Sequence, residues 1–142
     1  CGDSADVLRL IRQPEVSLCL WQRWPDADLA GWMSQALPLS FRVECYAAGD
    51  ALDVSAFVEE ILRGVAVTDR LPDAPLRARL TADLQRLVDL FCELRPEGRG
   101  HMVHLKLAAV EQADCPVLHT DWVTLRMICT YVGAGTEYAA AH

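Results

Sequence analysis

Between Leu76 and Leu94, the residues Leu80, Leu84, Leu87, Val88, Phe91 and Cys92 recur at the spacing of one helical face, with Arg77, Arg79, Asp83, Arg86 and Asp89 facing out. This pattern predicts one long amphipathic helix. A helix with a single apolar stripe must bury it against a second layer, which rules out an extended or purely strand-built chain. Pro96-Glu97-Gly98-Arg99-Gly100 ends the helix, because proline and glycine punctuate the hydrogen-bonded ladder. Helical signals dominate before about residue 100 and strand signals dominate after about residue 101.

Upstream of that helix the signals alternate. Val7 to Gln13 is a short apolar-basic segment, one helical turn or a strand, stopped by Pro14. Val16, Leu18 and Leu20 share one parity, which predicts a strand over Glu15–Trp21. Asp26 is placed to cap a helix running to Leu37, with Leu29, Trp32, Met33 and Ala36 on its apolar side. Trp32 therefore reads as core. Phe41, Val43 and Cys45 alternate with Arg42, Glu44 and Tyr46, the pattern of a half-buried strand. Asp53 then caps a helix through Arg63, with Phe57, Val58, Ile61 and Leu62 as its stripe and Gly64 as its C-cap.

Past the break, His101–Val110 is expected as a strand, with His104 and Lys106 on one face and Val103, Leu105 and Leu107 on the other. Val123–Val132 is apolar and β-branched, interrupted by Arg126 and Thr130, and is expected as a buried strand pairing antiparallel with His101–Val110. Gly133-Ala134-Gly135 supplies a tight turn after it. The expected fold is α+β. One domain spans residues 1–142, with amino-terminal helices packed on an antiparallel sheet.

Composition narrows the partners. The chain has 142 residues, 52% hydrophobic and 23% charged, and a formal net charge of −7 from 13 basic and 20 acidic side chains. Lys106 is the sole lysine and the arginines are dispersed, so nucleic acid and anionic membrane surfaces are disfavoured as partners. No apolar run reaches the length needed to span a bilayer. The six cysteines lie far apart with no Cys-x-x-Cys pair, which suits neither a zinc ribbon nor a disulfide scaffold. Free thiols in apolar runs point to a reducing, cytoplasmic setting.

The chemistry concentrates at Cys115-Pro116-Val117-Leu118-His119-Thr120-Asp121. On a strand, residues two apart share a face, so His119 and Asp121 would converge on one cation without backbone distortion. Imidazole plus carboxylate suits borderline divalent metals, and with one more histidine forms the facial triad of non-haem Fe(II) oxygenases. The bare tripeptide is common by chance, and its neighbourhood gives it weight.

Cys115-Pro-x-x-His119-x-Asp121, followed by Leu125-Arg126-x-x-Cys129-Thr130-Tyr131-x-Gly133-x-Gly135-Thr136-Glu137-Tyr138, resembles the signature of an uncharacterised bacterial domain family of unknown function. Members of that family tend to be encoded among zinc-homeostasis genes. Beyond the Thr-Glu pair they resemble a double-stranded β-helix that ends in a His-Arg-Ser-Pro segment. The resemblance implies a double-stranded β-helix like that of Fe(II)/2-oxoglutarate oxygenases, truncated here, and a metal site. It implies no reaction.

A His119/Asp121 pair needs at least one further protein ligand. The sole downstream histidine is the terminal His142, so the third ligand expected of an oxygenase is missing or the carboxyl-terminal half is cut short. Cys115 and His104 are the alternatives. A Cys/His/Asp set favours Zn(II) over Fe(II), because thiolate is the softer ligand. Arg126, expected to be buried, either pairs with an acid such as Glu137 or clamps the carboxylate of a small organic-acid co-substrate, for which 2-oxoglutarate is the candidate. Glu137 is a candidate general base or a cap of the glycine turn, and Tyr131 a wall residue. The expected function is a metal-binding protein, with Fe(II)-dependent oxygenase and non-enzymatic zinc-binding module as competing forms.

Overall fold

Among the described residues, a short-range aspartate cap starts each of the three α-helices. A computed structural model describes residues 1–66, 68–95, 102–110 and 123–136. Asp26 Oδ1 accepts from the backbone N–H groups of Asp28 and Leu29 at 2.9 and 3.1 Å and opens α1 (Ala27–Ala36). Asp53 accepts from Ala56 N–H at 3.0 Å at the start of α2 (Val54–Ala66). Asp73 accepts from Leu76 N–H at 2.8 Å and caps α3 (Ala74–Leu94), whose first turn carries Pro75 where no donor is needed. A 3-10 helix (Ala5–Arg12), capped by Ser4, precedes them, and a 3-10 turn (Gly49–Ala51) leads into α2.

β1 (Arg42–Ala48) and β2 (Met102–Ala108) form a two-stranded antiparallel sheet. The register sets Val43 opposite Leu107, Cys45 opposite Leu105 and Ala47 opposite Val103 on the inner face. Glu44 opposite Lys106 and Tyr46 opposite His104 occupy the outer face. The inner face packs on the helices, so the sheet shows the hydrophobic-in, polar-out alternation of a half-covered antiparallel pair.

The core gathers around α2, which buries Val54, Phe57, Val58, Ile61, Leu62 and Val65. Leu29, Met33 and Ala36 of α1 and Leu80, Leu84 and Val88 of α3 complete it, with Phe41 closing the edge. Ile61 and Leu80 have no exposed surface at all. Burying an aliphatic side chain of that size stabilises by about 1.5–3 kcal/mol. The helical layer is thus covered by its own members and by one face of the sheet.

Several expectations are corrected. Glu15–Trp21 forms no strand; only a single bridge ties Trp21 to Gly2, with Gly2 N–H donating to Leu20 O at 3.0 Å and Gln22 N–H to Gly2 O at 2.9 Å. Gly64 does not end α2 but lies inside it, and the Phe41 ring packs where a side chain at that position would stand. The partner of β2 is β1, not residues 123–132, which make no strand. The inner residues of β1 offered a complementary apolar row, and pairing with β1 joins the two halves of the chain. The segment 123–132 nevertheless alternates: Leu125, Met127, Cys129 and Tyr131 are half-buried, while Arg126, Ile128, Thr130 and Val132 are exposed. Arg126 is therefore an exposed side chain and not a buried charge. Among the described residues, no helix is long and apolar enough to cross a membrane.

Candidate functional site

The signature segment is attached to the helical layer through one carboxylate. Asp83, on α3, accepts from Arg23 Nη1 at its Oδ1 (3.1 Å) and from Arg23 Nη2 at its Oδ2 (2.8 Å). The Tyr131 hydroxyl donates to the same Oδ2 at 2.5 Å. A fork of two parallel N–H···O bonds is the strongest way for a guanidinium to hold a carboxylate. The side chains are mostly shielded, Arg23 being 14% and Asp83 22% exposed. Three segments distant in sequence, separated by 60 and 48 positions, therefore meet at one anion.

Aromatic faces enclose the cation. The Arg23 guanidinium carbon lies 5.6 Å from the centre of the Trp21 ring and 5.5 Å from that of Tyr131. Arg86 covers Trp21 at 5.2 Å. Such cation–π contacts contribute about 0.5–2 kcal/mol each, more where water is excluded. Arg23 Nε is buried with no hydrogen-bond partner among the described residues, so the guanidinium is held by Asp83 on one edge and by ring faces.

The electrostatics follow from this packing. Burial pushes the Asp83 carboxyl up, but hydrogen bonds from Arg23 and Tyr131 and the Arg23 charge outweigh it and hold the group below its ordinary value. Burial, and then the adjacent carboxylate, push the Tyr131 phenol far above its ordinary value. Burial raises the Cys129 thiol despite the nearby Arg23 charge. Asp83 is thus an anion, Tyr131 a neutral donor and Cys129 a protonated thiol through the neutral range. Cys129 in that state is a poor nucleophile.

The sequence-predicted residues divide in two. Cys115, His119, Asp121 and Glu137 lie outside the described residues. Arg126, Tyr131 and His104 lie within them. Tyr131 is at the centre of the hub and packs against the core. Arg126 stands on the exposed side of the same segment. His104 is on the outer face of the sheet, its ring stacked on Tyr46 with centroids 4.1 Å apart and planes 8° from parallel, and its Nε2 is 2.9 Å from Glu44 Oε2. Among the described residues no three His, Cys, Asp or Glu side chains are grouped to hold a metal ion. His104 with Glu44 thus falls one ligand short of a metal site within that set.

A groove of about 470 Å³ runs along α3, lined by Ala82, Gln85, Arg86, Asp89, Leu90 and Glu93. Its polar groups already answer one another or their neighbours. Gln85 donates to Asp89 at 2.8 Å, Arg9 donates to Glu93 at 2.7 Å, and Arg86 lies over Trp21.

Arg23, Asp83 and Trp21 were not marked by sequence patterning. Asp83 falls among the charged residues that flank the α3 stripe, and Arg23 sits between two tryptophans in a segment without periodicity. The signal that could have marked them is Trp21-x-Arg23, an arginine with an aromatic neighbour able to shield it.

The fold and hub define an α+β protein whose carboxyl-terminal signature segment is tied to a helical layer through a carboxylate. Residues 2–142 match the model of the family described as "Protein of unknown function (DUF1826)", and the chain belongs to that family. No curated protein and no solved structure matches it.

Proposed function

We propose that this protein binds a divalent metal through His119 and Asp121. The observation that carries the reading is the donor set itself, an imidazole and a carboxylate two positions apart with a thiol four positions upstream, directly ahead of the segment that the hub fixes. The alternation of exposed and half-buried side chains over 123–132 is compatible with the double-stranded β-helix resemblance, in which such a pair sits on a strand. The free thiols of Cys1, Cys19, Cys45, Cys92 and Cys129 support a reducing, cytoplasmic setting.

In the leading form the metal is Fe(II) and the protein an oxygenase-like enzyme acting on a small molecule. The metal would supply a site for oxygen activation. The chain's own contribution would be Arg126, exposed within 123–136, as a clamp for the carboxylate of 2-oxoglutarate or a related acid, with Glu137 as the candidate general base. In the second form the ion is Zn(II), held without catalysis by Cys115, His119 and Asp121. The observation favouring it is the cysteine, since thiolate selects zinc over iron.

Substituting Co(II) for the native ion and recording the visible spectrum tests both forms. Cobalt bands present in the parent and absent in His119→Ala and Asp121→Ala are expected. A thiolate-to-cobalt charge-transfer band lost in Cys115→Ser assigns the zinc form, and weak bands unaffected by that change assign the oxygen- and nitrogen-ligated form. Cobalt spectra identical in parent and His119→Ala would refute the site.

A further inference from the structure

We propose that residues 123–136 are a strap that lifts off the helical layer as a unit while the core stays folded, with the Tyr131–Asp83 hydrogen bond as its latch. Such a device would act whether or not the chain binds a metal. Segments open locally when they bury little apolar surface and share few anchors with the core. None of the residues 123–136 is fully buried, whereas α2 buries six side chains. Among the described residues the segment forms no strand, and Tyr131 is its one member packed against the core cluster. The hydroxyl of that side chain, donating to Asp83 Oδ2, is the polar end of the anchor.

The closed state also carries a cost that opening relieves. Arg23 Nε is buried with no hydrogen-bond partner among the described residues, and the Tyr131 ring is one of two aromatic faces over that guanidinium. A buried donor left unanswered forfeits the hydration it had in water. Lifting Tyr131 readmits water to Arg23, while the two-pronged Arg23–Asp83 pair stays on the helical layer. Gly133 and Gly135 follow the latch at φ +96° and +85°, and a Cβ on Gly133 would meet nothing within 4 Å. Glycine's backbone freedom suits the turn to the φ change that opening requires. Cys129 reports the motion. It stands two positions before Tyr131 on the same inward row, half-buried as a free thiol, so opening turns it to solvent.

The test labels the full chain with N-ethylmaleimide at fixed pH and follows Cys129 by peptide mass spectrometry. Each rate is divided by that of the same variant unfolded in urea. Tyr131→Phe removes the latch and keeps the ring. Gly133→Ala strains the closed strap through its positive φ without touching the hub. Asp73→Ala weakens α3 through its cap, away from the strap. The expected result is slow Cys129 labelling in the folded parent and about tenfold faster labelling in Tyr131→Phe and Gly133→Ala, at urea concentrations where α2 amides keep their protection. Asp73→Ala should label Cys129 as the parent does. Parent-like rates in both Tyr131→Phe and Gly133→Ala overturn the latch. Labelling that tracks global unfolding in urea, and rises in Asp73→Ala as much as in the strap variants, overturns the independent strap. A folded parent that labels as fast as the unfolded chain overturns it too, since no closed state then exists.

Discussion

The Tyr131 hydroxyl donates to Asp83 Oδ2 at 2.5 Å, joining the carboxyl-terminal signature segment to the third helix across 48 positions of sequence. Because Arg23 grips the same carboxylate, the contact is one edge of a three-member network and not an isolated pair. Networks of this kind respond non-additively to substitution.

Tyr131→Phe keeps the ring and its contact with Arg23 and removes the donor, so we expect a loss of about 1–2 kcal/mol in unfolding free energy. Asp83→Asn leaves the shielded Arg23 charge without its anion and should cost about 2–3 kcal/mol. The double variant should fall short of the sum by at least about 0.5 kcal/mol in a denaturant double-mutant cycle. Additive losses would show that the two side chains act independently.

Two helical glycines should respond with opposite signs. A Cβ on Gly31 would meet nothing within 4 Å, so Gly31→Ala in α1 should stabilise by about 0.5–1 kcal/mol. A Cβ on Gly64 would stand 2.8 Å from Phe41 Cε2 and 3.4 Å from Cζ. Phe41 has little room to yield, since its N–H donates to Pro38 O and its carbonyl accepts from Ala109 N–H. Gly64→Ala should therefore destabilise by about 1–2 kcal/mol net, overpacking outweighing the helical gain. Thermal unfolding of both variants decides the matter, and Phe41→Leu should restore part of the loss in Gly64→Ala.

The hub should shape both limbs of the stability–pH curve. Asp83 has a lowered folded pKa, so its contribution is present above the unfolded value of about 3.9 and is lost as pH falls through the lower folded value. Tyr131 has a raised folded pKa, so its contribution is full below the unfolded value of about 10 and declines as pH rises beyond it. Urea midpoints across pH should show a shallower acid limb in Asp83→Asn and a shallower alkaline limb in Tyr131→Phe. Limbs unchanged from the parent would mean these groups titrate alike in folded and unfolded chains.

What was legible in the sequence was local. Asp26 and Asp53 cap the helices expected of them, because a cap acts within three residues of itself. The Phe41–Tyr46 alternation and the α3 stripe survive because each encodes one buried face. Gly133 and Gly135 adopt φ of +96° and +85°, the left-handed backbone that glycine permits, at a bend in the chain. What was not legible was non-local. Nothing in Val123–Val132 says which strand it would pair with, and β1 offered β2 a matching row of Val43, Cys45 and Ala47. Helical periodicity placed Asp83 outward, since the stripe records apolar neighbours and is blind to an arginine arriving from residue 23. The metal residues Cys115, His119 and Asp121 were legible only as donor chemistry at short spacing, and they fall outside the described residues.

The most direct measurement of the central claim is the metal content, by mass spectrometry, of protein purified without chelators or affinity tag, beside His119→Ala and Asp121→Ala. One iron or zinc per chain in the parent, lost in both variants, is the predicted result. No metal in the parent before or after reconstitution with either ion, or stoichiometric metal retained in both variants, would contradict a His119–Asp121 metal centre.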